Sequence, residues 1–440
     1  MASKSKRVPI RGSAKKPVPG AKPVGPVPSD ERFEVTIRLR PRKPLDPLSA
    51  TNADQDVLPK DRRYLTRQEL ADQYGADPAD IAKVTEFAQS HGLVVVESSP
   101  ERRSLVMSGT AQAFSAAFGT TLLQYEHSQG IFRGRTGELT IPADLEGIIE
   151  GVFGLDDRPQ ARPHFQNRPF EAGSPQAAKA APAGSFTPLQ IAGLYDFPRG
   201  LNGSGQSIAL IELGGGYRTA DIKAYFKSLG LPIPTVKTVR VDGGINHPTT
   251  ANSADGEVML DIEVAGAIAP KAQIVVYFAP NTSQGFLDAI TKALHDTVNR
   301  PSIISISWGG PESDWTGQSM TQFNQAFQAA AALGVTVCAA AGDAGSADGV
   351  TDGNNHVDFP ASSPYVLGCG GTKLVGSGAS ISSETVWNEG PNSATGGGVS
   401  GFFPLPAYQA GVPVPAPAGA TRGVPDVAGD ADPASGYQVR

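Results

Sequence analysis

The chain has 440 residues, a formal net charge of −6, 40% apolar residues and only 18% charged ones. That length suits two or three domains, and the apolar share supplies a full-sized core. The charge balance implies no basic face and so argues against nucleic acid as the main partner; no run of about 18 apolar residues occurs, which argues against a membrane span.

Residues 1–28 hold Lys4, Lys6, Arg7, Arg11, Lys15, Lys16 and Lys22 among many prolines, with no acidic residue. Such a stretch is expected to be a disordered basic tail. It lacks the apolar middle of a secretory signal. Residues 29–165 read as one small α+β unit. Val35–Arg40 alternates apolar and polar or charged residues, as a half-buried strand does. Thr66 and Glu69 have the spacing of a capping box. Asp77 followed by Pro78 starts a second helix, and Gly92 is placed to end it. Leu93–Glu97 and Ser104–Met107 read as strands, with Thr110 as the cap of a third helix. Residues 166–187 then turn small and polar, through the run Gly173 to Gly184. They are expected to form an exposed, cleavable linker.

From residue 188 onward, Ser207–Leu213, Val236–Val241, Gln273–Phe278, Ser302–Ser307 and Thr336–Ala340 are apolar, strand-like runs. Helical patterns near 220–229, 255–268, 283–297 and 317–333 lie between several of them. Strands alternating with helices predict an α/β fold, a mostly parallel sheet with helices on both faces. Such sheets carry their sites beyond the carboxyl ends of the strands.

Within 255–268, Glu257 and Asp261 are one helical turn apart and share a face with Val264, Ala265 and Ile268. Two buried carboxyls at that spacing repel, share a proton and titrate as a unit. That is one way to make a general base; a solvated helix face is the plain alternative. The strand Pro301–Ser307 runs into Trp308-Gly309-Gly310, and the glycine pair lets another backbone approach, as an added substrate strand would. Val335–Ala341 runs into Gly342-Asp343, where a protonated acid could donate to an oxyanion. A simple turn accounts for either motif alone. The six histidines show no triad or metal spacing, and most are expected to have no chemical role. Cys338 and Cys369 lie in apolar strand-like runs and read as buried free thiols, with a disulfide between adjacent strands left open.

The segments GEVMLDIEVAGAIAPKAQIVVYFAPNT, SISWGGPE, AAGDAG, VDFPASSPYV and RGVPDVAGDADP, in this order, resemble the sedolisin (serine-carboxyl peptidase) family in its kumamolisin-like branch. The resemblance runs from about Phe186 to the last residue, while residues 30–165 resemble the family's activation domain. It implies a subtilisin-like catalytic domain over 188–440 behind a ferredoxin-like activation domain over 29–165. It implies Glu257 as general base, Asp261 as its partner and Asp343 as oxyanion acid. Glu212 and Trp308 would extend the carboxylate network; Ser307, Gly309, Gly310 and Asp358 would line the substrate cleft. Protein or peptide substrates, the chain's own activation domain as intramolecular inhibitor, acid pH and a secreted or extracytoplasmic setting are implied too.

The family's nucleophile lies in a Gly-Thr-Ser-x-x-x-Pro motif, and no Gly-Thr-Ser occurs in residues 1–440. The expectation is therefore a chain truncated before the catalytic serine and inactive alone. Its calcium ligands are expected beyond residue 440. A non-catalytic remnant that binds peptides or a related peptidase is the reading from a different class.

Overall fold

The alternation at Val35–Arg40 is realised as the strand Arg32–Leu39, the centre of the first of two units. The computed structural model describes residues 6–51, 57–58, 61–128, 130–166, 184–250, 252–414 and 421–440. The first unit takes in Met1–Gln160, Asn281–Thr297 and Asp314–Gly334. Arg32–Leu39 lies between Ser104–Thr110 and Ile149–Phe153, with Val94–Ser99 beyond Ser104–Thr110, every pair antiparallel. Helices start where the side chains can cap them. Thr66 accepts from the Glu69 amide and Glu69 reaches back, closing the capping box. Asp77 accepts from the Ala79 amide ahead of Pro78–Ser90. Thr110 accepts from the Ala113 amide ahead of Ala111–Phe118. Val35, Ile37, Leu105, Met107, Phe114 and Phe118 close the core, each such burial contributing about 1.5–3 kcal/mol. The order strand, helices, strand, strand, helix, strand is ferredoxin-like. The helices Ser283–His295 and Gly317–Leu333 belong to this unit. Thr36 Oγ1 donates to Asp288 Oδ2 at 2.6 Å, and Gln318 Nε2 to the Val152 carbonyl at 2.9 Å.

The expected disordered tail is corrected over residues 6–28. Arg7–Pro9 pairs with Thr140–Pro142, and Lys22–Pro26 with Leu123–His127. Ile10 and Val27 are buried, and Lys15 meets Asp156 at 3.0 Å. Composition hid this because a few apolar anchors and an acidic partner elsewhere in the chain are enough to hold a basic, Pro-rich segment. Residues 1–5 lie outside the described residues, as do 167–183 of the expected linker.

The second unit comprises Ala161–Pro280, Val298–Ser313 and Val335–Arg440. Its main sheet runs in the order Thr235–Arg240, Gln273–Phe278, Ser207–Glu212, Ile303–Ile306, Thr336–Ala340, Leu367–Ser377, Ser380–Val386. The strands are parallel as far as Leu367–Ser377, and Val427–Asp430 also pairs with Leu367–Ser377 in parallel; Ser380–Val386 is antiparallel. The helices Thr219–Ser228 and Asp255–Ile268 bury Ile222, Phe226, Val258 and Ile262 with Leu210, Ile274 and Val276 of the sheet. Cys338 and Cys369 are free thiols on adjacent strands, each partly rather than fully buried. Around Cys338 the strand alternates, Val337 and Ala339 being the residues that are buried. Among the described residues no helix is long and apolar enough to cross a membrane.

Candidate active site

Three neighbouring parallel strands deliver two of the acids and, between them, Ser307 and Trp308. Ser207–Glu212 ends on Glu212, Ile303–Ile306 leads into Ser307-Trp308, and Thr336–Ala340 leads through Gly342 into Asp343. Gly342 turns the chain at φ +100°, a conformation that favours glycine. The helix Asp255–Ile268 adds Glu257 and Asp261. Its start has no side-chain cap; instead Asp255 turns back to accept from the Thr249 amide, and its own amide donates to Ser253 Oγ at 3.1 Å.

The carboxyls are closed in. Glu257 is 1% exposed, and among the described residues neither of its oxygens has an aligned protein partner. Asp261 is only partly covered as a residue, yet its Oδ2 is buried without a partner while Oδ1 accepts from Ser307 Oγ at 2.9 Å. Glu212 is fully buried and accepts from Trp308 Nε1 at 3.0 Å. Burial, then the charges of Asp261, Glu212 and Asp343, holds Glu257 well above the ordinary carboxylate range. Burial, then Asp261, does the same to Glu212. Burial pushes Asp261 up to about 6, against the Ser307 hydrogen bond. Burial also raises Asp343, against the positive charge of His164. Such a cluster cannot ionise together and must hold protons at neutral pH.

The cleft strand Trp308–Pro311 is paired on both edges. One edge takes Asp358–Phe359; the other takes Arg162–Pro163, antiparallel, with Gly309 opposite Arg162. The His164 amide extends that pairing to the Ser307 carbonyl at 2.8 Å. Gly309 is glycine for want of room: a Cβ there would fall 2.2 Å from Asp358 Oδ1. The boundary drawn at residue 165 therefore falls earlier, at Gln160, because from Ala161 the chain joins the cleft.

This incoming segment brings residues that the sequence did not single out. The buried His164 Nε2 lies 3.0 Å from Asp358 Oδ2. Burial alone would lower the imidazole, but Asp358, with Asp343 and Asp348, outweighs it and keeps the ring above its usual value. Arg162 pairs with Asp348, which burial and then Asp358 push up to about 8. Gln166 Nε2 donates to the Asp343 carbonyl at 3.1 Å. The signal available in the sequence was the alternation of basic residues at 162 and 164 ahead of the small, polar stretch. Among the described residues no group of three or more His, Cys, Asp or Glu could hold a metal ion.

Two family models match the chain: "Pro-kumamolisin, activation domain" over residues 19–158 and "Subtilase family" over 247–410. Kumamolisin of Bacillus sp. (strain MN-32) is 52% identical over 446 residues, covering 99% of this chain and 80% of that protein. Sedolisin of Pseudomonas sp. (strain 101) is 28% identical over 428 residues, covering 92% of this chain and 71% of that one. A solved structure of Pseudomonas sedolisin, described as a serine-carboxyl proteinase complexed with two molecules of pseudo-iodotyrostatin, matches with TM-score 0.52 and 28% identity, over 58% of this chain and 73% of that one.

Proposed function

This chain belongs to the sedolisin family of serine-carboxyl peptidases, in its kumamolisin-like branch, and carries that family's activation domain; on that premise we propose that Glu257 is the general base of an acid-acting endopeptidase, Asp261 its partner and Asp343 the oxyanion donor. One observation carries the reading: both Glu257 oxygens are buried, one helical turn from Asp261, beside Ser307 and within range of the charges of Glu212 and Asp343.

In this reading Glu257 takes the proton of a serine hydroxyl as that oxygen attacks the substrate carbonyl, then returns it to the leaving amine. Asp261, held by Ser307, shares the proton load and fixes the orientation of Glu257. Asp343, kept protonated by its surroundings, donates to the developing oxyanion. Activity is then expected to be bell-shaped in pH. It fails at low pH once every member of the cluster is protonated and no base remains. It fails at high pH once Asp343 ionises and can no longer donate.

The segment Arg162–Gln166 lies where an extended protein substrate would add to Trp308–Pro311. We read it as the intramolecular inhibitor, released by cleavage within 166–187. Acid working conditions suit a secreted or extracytoplasmic site of action.

The test uses this chain together with a Gly-Thr-Ser-x-x-x-Pro-bearing family segment, either behind Arg440 or as a second polypeptide. It follows cleavage of a denatured protein at about pH 4. Glu257→Gln is expected to lower kcat by about 10²–10⁴ with folding intact. Full activity in that variant would remove Glu257 from the mechanism.

A further inference from the structure

The first unit holds a partly open cavity of about 250 Å³ that the peptidase reading does not use. Arg38, Arg102 and Arg103 line it, and Glu101 is the sole carboxylate among the residues lining it. All three arginines are buried; Arg38 is 2% exposed, and the carboxylates whose charges reach it are Asp288 and Glu150. Its hydrogen bonds go to neutral acceptors, Gln322 Oε1 at 3.4 Å and the Arg102 carbonyl. The carboxylates that balance the other two stand outside the cavity. Glu97, the partner of Arg102, is 49% exposed at its side chain, and Glu150 lies 3.6 Å from Arg103. Neither Asp288 nor Glu150 lines the cavity, so its wall is cationic, and a cluster of buried guanidinia is costly unless further anions compensate it.

His295, also in the wall, registers the imbalance. Burial, then Arg38, Arg102, Arg103 and Arg67, pushes its imidazole down to about 3. The rest of the lining is different in kind: Pro44, Leu45, Leu70 and Leu294 present apolar surface. A cationic wall facing apolar walls fits an anion with a hydrocarbon body better than a fully hydrated inorganic one.

We propose that this cavity binds a small organic monocarboxylate, its charge set against Arg38 and Arg103 and its apolar body against Leu45, Leu70 and Leu294. The site is independent of the peptidase reading, since it shares no residue with the carboxyl cluster.

The probe is benzoate, titrated into the 440-residue chain at about pH 6 by calorimetry, with His295 followed by NMR. Benzoate is expected to bind and to shift the His295 ring resonances in step with the calorimetric saturation, since the ring lines the same cavity. Arg38→Met is expected to weaken binding at least about tenfold. Ala329→Leu, which leaves every charge in place and fills the cavity from the helix Gly317–Leu333, is expected to abolish it. Ala329→Leu decides alone if Arg38→Met does not fold. Absence of benzoate binding, or binding unchanged in Ala329→Leu, overturns the site. Inorganic sulfate binding more tightly than benzoate overturns the apolar-body assignment.

Discussion

Asp156 in the first unit and Glu212 in the second are both buried, yet acid acts on them in opposite senses. Burial would raise Asp156, but Lys15 and Arg158 outweigh it and hold the carboxyl below its usual 3.8. A depressed carboxyl stabilises the fold above its unfolded value, and that contribution is lost as pH falls through the folded one. His295 adds to the same sense. Its folded value of about 3 lies below the unfolded 6.5, so the unfolded chain takes up the proton first and stability drains away between the two. In the second unit Glu212, Glu257 and Asp261 are raised, and so are Glu263, to about 8, and Asp430, to about 7. Raised carboxyls stabilise the fold below their unfolded values and lose that contribution as pH rises through the folded ones. The difference teaches that one pH step can loosen an activation unit while settling the unit that does chemistry, with no dedicated trigger residue.

Hydrogen exchange resolved by segment would break that contrast most directly. Between about pH 7 and about pH 3 the first unit's core is expected to lose protection and the second unit's to gain it; movement of both in one direction would end it. Asp156→Asn should have the largest single effect, about 3–5 kcal/mol of first-unit stability at neutral pH, because Lys15 and Arg158 are left buried without their acid. Denaturant melts read it. His295→Gln should remove about 1.4 kcal/mol of acid sensitivity for each pH unit over the window from 6.5 down to about 3, seen as a flatter plot of stability against pH. Trp308→Phe, which removes the donor to Glu212, should cost about 1 kcal/mol and drive Glu212 still higher; carboxyl infrared titration would show a second-unit proton retained to higher pH.

Much of this was legible because local chemistry and long-range need coincide. The caps at Thr66, Asp77 and Thr110 act within their own turns, so their helices begin where the sequence says. Glu257 and Asp261 are one turn apart, and Asp343 follows its strand, so one helix and two loops suffice to anticipate the cluster. His164 was not legible. Its neighbours in sequence are Pro163 and Phe165, and nothing local says that Asp358, nearly two hundred residues on, will close over it. The same holds for Arg162 with Asp348 and for Lys15 with Asp156, whose ion pairs close only once the fold brings distant segments together.

The pairing of Arg162 with Gly309, and of Pro163 with Trp308, works as a ruler. Side chains alternate across a strand, so a slip by one residue would turn every side chain of the incoming segment to the opposite face. With Arg162 facing Asp348 and His164 facing Asp358, the groove offers two carboxyl stations one alternation apart. An intruding chain whose cationic side chains fall two residues apart is phased by both at once; one with a single odd-spaced cation is phased by neither more than the other. Selection of a cleavage point would then be a matter of spacing along the chain as much as of any one side chain's identity.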